Sequence, residues 1–82
     1  MTPDEVFTVV RDAVVTVMEV PPASVTRDTR LVDDLRCDSL ALVEIAEIVE
    51  ETIGHGFTID DAALDDITTV GEAVDYCAGR LP

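Results

Sequence analysis

The chain has 82 residues, enough for one domain (residues 1–82), and a domain of this size buries only about 60–65% of its unfolded surface. Eighteen Asp and Glu face five Arg and no Lys, a net charge of −13, which repels nucleic acid and anionic membrane and attracts basic protein surfaces. Nearly half the residues are apolar, mostly Val, Ala, Leu and Ile, with three aromatics, and no run reaches the ~20 residues of a membrane span.

Thr2-Pro3-Asp4-Glu5 reads as a helix start: Thr2 caps, Pro3 suits the first turn, and Glu5 stands where a capping-box acid reaches back. With no basic or apolar leader before it and no lipidation motif, a cytoplasmic protein is expected. Phe7, Val10, Val14 and Val17 recur at spacings of three and four, giving the first helix one apolar face. Pro21-Pro22 ends it. The connection from Pro21 to Cys37 is longer than compact domains normally use; Leu31, Val32 and Leu35 are expected to pin it to the core, with a helical turn at Asp33-Asp34. Asp38 or Ser39 opens the second helix, which ends near Ile53 with Gly54 as terminator. "GHGFTI" is a loop re-entering through Phe57 and Ile59. Residues 60–66 form a short helix with Ala63, Leu64 and Ile67 turned inward. Thr69-Val70-Gly71-Glu72 is a second capping box, followed by Val70, Ala73, Val74, Cys77 and Leu81 on one face. The fold expected is all-α: a four-helix bundle with three longer helices, a short third helix and a long loop between the first two.

The second helix carries the chemistry. Leu42, Ile45, Ala46, Val49 and Ile53 fall on its inner side; Leu40, Glu44, Glu47 and Glu51 fall on the other, with Val43 at the border. Leu40 and Val43 above three carboxylates form a small apolar spot ringed by negative charge, the complement of a partner with an apolar notch and a basic rim. Ser39, one of two serines, stands where unpaired N–H groups and the helix dipole favour an attached phosphate. As a cap it is redundant beside Asp38. As a nucleophile it lacks a base, because the one histidine, His55, lies beyond the far end of the helix, and a hydrolase elbow is missing.

Asp38-Ser39-Leu40, preceded by "TRLVDDL" and followed by "ALVEIAEIVEE", resembles the acyl carrier proteins, and the likeness runs through the long first loop, the acidic third helix and the closing "ITTVGEAVDY". The resemblance implies that Ser39 bears 4′-phosphopantetheine, taken from coenzyme A, whose thiol carries acyl groups as thioesters, and that the protein itself is not an enzyme. It places Asp38, Leu40, Val43, Glu44 and Glu51, with Glu47 on the same stripe, on a surface for a phosphopantetheinyl transferase, a ketosynthase, an acyltransferase and other acyl-processing enzymes, the protein being a monomer. It also implies that the space between the second helix and the last two receives part of the acyl chain. "DSLALVE" looks more like discrete carriers of bacterial polyketide pathways than those of fatty-acid synthesis; an aminoacyl or peptidyl carrier is disfavoured by Asp38 and the acidity. Outside the class stands an acidic interaction protein without a prosthetic group. Three positions depart from the family: Arg36 where glycine is common, Glu47 where a large apolar residue is frequent, and Ala41 where fatty-acid carriers often have an acid.

Among the remaining residues, Cys37 and Cys77 are read as free thiols; the helix start can lower the Cys37 pKa, although packing as a small apolar side chain is the plainer reading. Cys77 reads as core and His55 as a solvated loop residue. Asp60-Asp61 and Asp65-Asp66 lack the ligand spacing of a calcium loop.

Overall fold

The computed structural model describes residues 1–81, and within them four α-helices and one short 3-10 turn account for the regular structure. Helix α1 spans Pro3–Met18 and starts as its sequence dictates: Thr2 N–H donates to the Glu5 carboxylate at 2.8 Å, and Glu5 N–H donates to the Thr2 hydroxyl at 3.2 Å. Hydrogen bonding to the carboxylate, first from the Thr2 backbone N–H and then from its hydroxyl, holds the Glu5 carboxyl below its usual range. The helix stops before the prolines. Glu19 adopts a left-handed conformation (φ 55°, ψ 45°) and returns its N–H to Val15 O, so the chain turns two residues earlier than Pro21-Pro22 require. The buried face also sits slightly around from the expected one: Val6, Val10, Ala13 and Val14 fill the core, while Phe7 and Val17 pack at its margin.

Helices α2 (Ser39–Ile53), α3 (Asp61–Leu64) and α4 (Val70–Arg80) follow. α1 packs against both α2 and α4, whereas no Cα of α2 comes within 8 Å of one in α4. That gap is roofed by Ile59, Leu64 and Ile67, from the segment that runs through α3. α2 contributes Ile45, Ala46 and Val49 to the interior, and α4 contributes Val70, Val74 and Cys77, with Leu81 as the residue that caps α4 rather than part of it.

The long connection is ordered by partners distant in sequence. After the 3-10 turn Pro22–Ser24, Val25, Thr29 and Leu31 are buried, and the Thr29 hydroxyl accepts from Thr26 N–H at 2.9 Å. Arg30 pairs with Thr69 in an isolated antiparallel bridge; Leu31 N–H reaches Thr68 O, Val70 N–H reaches Thr29 O, and Gly71 N–H reaches Arg27 O at 2.8 Å. The loop carbonyls thus satisfy donors that the first turn of α4 would otherwise leave open. Glycine at position 71 permits this approach, since a Cβ there would lie 3.0 Å from Arg27 O. Val32, expected to anchor the loop, is 50% exposed instead, because the turn at Leu31–Leu35 faces Leu31 inward and Val32 out.

Candidate functional site

α2 begins with a cap that leaves its first hydroxyl idle. The Asp38 carboxylate accepts from Ala41 N–H at 2.8 Å. Ser39, the first helical residue, is exposed, and among the described residues its hydroxyl makes no hydrogen bond. The N–H groups of Ser39 and Leu40 have no acceptor inside the helix, as at any helix start. A free hydroxyl beside two open donors at the positive end of a helix suits attachment of a phosphodiester. It does not suit a hydrolytic nucleophile: α2 is 15 residues long, about 22 Å at 1.5 Å per residue, and His55 lies beyond its far end.

The turn before Ser39 supplies two findings. Arg36 has φ 63°, a left-handed backbone that costs a side-chain-bearing residue energy and costs glycine none; the glycine frequent at this place in the family of resemblance has a backbone reason. Cys37 is buried with its N–H on Leu31 O. Burial, and then the neighbouring Asp38, push its thiol pKa up. The helix start therefore does not activate this cysteine, and it packs as a small apolar side chain. Burial likewise raises Cys77, to about 11.

Along the outer side of α2, Leu40 is 66% and Val43 36% exposed, and Glu44, Glu47 and Glu51 are exposed below them. The ion pairs among the described residues, Arg11–Asp12, Arg27–Asp75 and Arg30–Asp33, use none of these glutamates. α1 adds what periodicity assigned elsewhere. Thr16 and Val17 join Glu44, Glu47, Ile48 and Glu51 around a groove of about 350 Å³; Val17, expected in the core, lines this acidic groove. Glu50, one residue from Glu51, faces the other way and accepts Ile59 N–H at 2.7 Å.

The gap between α2 and α4 holds a narrow cleft of about 30 Å³, roughly the share of one water molecule. Leu42, Ile45 and Val49 line one side, Ala73, Tyr76 and Cys77 the other, and Ile59, Leu64 and Ile67 close it. A roomier hollow of about 460 Å³ lies at the opposite pole around Ile53, Phe57 and Leu81, remote from Ser39. Among the described residues no group of three or more His, Cys, Asp or Glu is placed to hold a metal ion, and no helix is long and apolar enough to cross a membrane.

Residues 8–77 match the family model described as "Phosphopantetheine attachment site". An acyl carrier protein of Thermotoga maritima is 36% identical over 78 residues, covering 95% of this chain and 94% of the relative. One of Petrotoga mobilis is 38% identical over 81 residues, covering 99% and 93%. The meromycolate extension acyl carrier protein of Mycobacterium leprae is 34% identical over 76 residues, covering 93% of this chain and 64% of that one.

Proposed function

Because the chain belongs to the acyl carrier protein family, we propose that it carries acyl intermediates as thioesters on a 4′-phosphopantetheine arm attached to Ser39. Proteins of this family bear that group covalently and are carriers rather than enzymes. The observation that carries the assignment to Ser39 is its exposed, unbonded hydroxyl at the start of α2, with Asp38 performing the cap in its stead. The arm supplies an activated, mobile thiol; the chain supplies the hydroxyl, donors for the phosphodiester and a surface that partners recognise. Intact mass after incubation with coenzyme A and a broad-specificity phosphopantetheinyl transferase tests this: wild type gains one arm and Ser39→Ala none. An unmodified wild type would refute it.

The docking surface in this reading consists of Asp38, Leu40, Val43, Glu44, Glu47 and Glu51. Their support is exposure together with unpaired charge; Asp38 alone has a carboxylate oxygen committed to the fold. Transferase, ketosynthase and acyltransferase would approach with basic surfaces, and the chain would act as a single-domain, cytoplasmic monomer.

For the pathway, "DSLALVE" supports a discrete polyketide carrier. A second reading, fatty-acyl synthesis, is favoured by the cleft, whose lining is almost entirely carbon. Each carbonyl of a polyketone buried there without a partner would cost about 1–3 kcal/mol, so such a cargo would stay in solvent, whereas a reduced chain gains by burial. Loading octanoyl and polyketone-mimic arms and recording which perturbs the Ala73 and Cys77 amides separates the two.

A further inference from the structure

The roof of the α2–α4 cleft is strapped to both walls by two consecutive backbone amides. Ile59 N–H donates to the Glu50 carboxylate of α2 at 2.7 Å, and Asp60 N–H donates to the Tyr76 hydroxyl of α4 at 3.3 Å. α3, which continues the roof, has four residues, none of them buried, and its backbone approaches α2 alone among the helices. On the α4 side the polar tether at the roof's leading edge is therefore the Tyr76 phenol.

The cleft's volume of about 30 Å³ admits little more than a water, so a longer chain must part the roof from one wall. The straps are unequal. A short bond to a carboxylate is about twice as strong as a neutral one, and the Tyr76 bond is both neutral and long. It yields first, and the roof then moves with α2 and opens along α4.

We propose that Tyr76 is a specificity-determining residue for the acyl cargo: its hydroxyl latches Asp60 against α4, and release of this bond admits a reduced aliphatic chain along the α4 wall while Glu50 keeps the roof on α2. The latch sets a threshold. Short acyl groups bury too little carbon to release it and remain outside, whereas a chain of medium length offsets the lost bond by apolar burial. An oxygenated chain gains less, because the freed phenol can serve one carbonyl and the rest of the lining offers almost none.

The inference rests on the Ser39 carrier reading for its cargo but not for the latch, and the test separates them. In ¹⁵N-labelled apo protein, Tyr76→Phe keeps the ring and removes the hydroxyl; Asp60 amide exchange should accelerate about fivefold, the equivalent of one neutral hydrogen bond, with Ile59 unchanged. Equal Asp60 exchange in both proteins overturns the latch whether or not Ser39 is ever modified. Wild-type protein is then loaded from octanoyl- or acetyl-coenzyme A by a broad-specificity phosphopantetheinyl transferase, which moves the acyl-phosphopantetheine to the serine hydroxyl and releases adenosine 3′,5′-bisphosphate, with intact mass verifying the arm. The octanoyl form should lose Asp60 protection, keep that of Ile59 and shift Ala73 and Cys77; the acetyl form should resemble apo protein. Opening at Ile59 before Asp60, or an octanoyl form with both amides protected, contradicts the proposal without any variant. Absence of loading would instead count against Ser39.

Discussion

Arg36→Gly should make this protein more stable. Its left-handed backbone, φ 63°, costs an L-residue about 1–2 kcal/mol. Glycine removes that cost but gives the unfolded chain more freedom, which returns about 0.5–1 kcal/mol. The net gain is about 0.5–1 kcal/mol, or a rise in Tm of roughly 2–8 °C for a chain of this size. The substitution also deletes a cation near Asp33, Asp34 and Asp38, so melting is followed by circular dichroism at about 0.5 M salt, where exposed charges are screened. Arg36→Ala is the control: it loses the same charge, keeps the strain and should melt at or below wild type. If glycine melts no higher than alanine, the backbone argument for this position is wrong.

Glu44→Lys or Glu51→Lys should slow transfer to basic partner enzymes and flatten the salt dependence of the rate, with the fold intact because these side chains are exposed and unpaired; unchanged rates and slopes in stopped-flow or gel assays would remove the acidic docking face. Cys77 gives a pH prediction. Its folded pKa is raised from 9.0 to about 11 by burial, so its contribution is complete below pH 9.0 and is lost as pH rises towards 11, where the unfolded thiol ionises and the folded one does not. Urea titrations over that window should show stability falling more steeply in wild type than in Cys77→Val, and parallel slopes would contradict the buried neutral thiol.

What local chemistry controls was legible in the sequence. Thr2 and Thr69 cap α1 and α4 as their spacing to Glu5 and Glu72 required, and of the two residues that could open α2, Asp38 or Ser39, Asp38 is the cap; the two stripes of α2 divide into a buried or half-buried side and an exposed one as the 3.6-residue period demanded. The end of α1 was less legible, because a left-handed Glu19 has no composition signal comparable to glycine, and the prolines downstream drew the boundary past it. Val17 and Val32 were misplaced for a related reason: hydrophobicity says that a residue can be buried, but neighbouring elements decide whether anything covers it. The docking of the 27–31 loop segment on the start of α4 and the straps from Glu50 and Tyr76 join residues 9 to 48 positions apart, beyond the reach of any periodicity. Arg36 was visible as a departure from the family pattern, and its meaning became physical only with its φ angle.

Tandem mass spectrometry of the phosphopantetheinylated protein after proteolysis reads directly which hydroxyl bears the arm. Ser24, the other serine, serves as an internal control: its hydroxyl donates to Pro21 O within its own turn, and it ends a three-residue 3-10 turn rather than starting a helix. The arm should be found on the fragment containing Asp38-Ser39-Leu40 and nowhere else. An arm on Ser24, or on any other hydroxyl, would contradict the account.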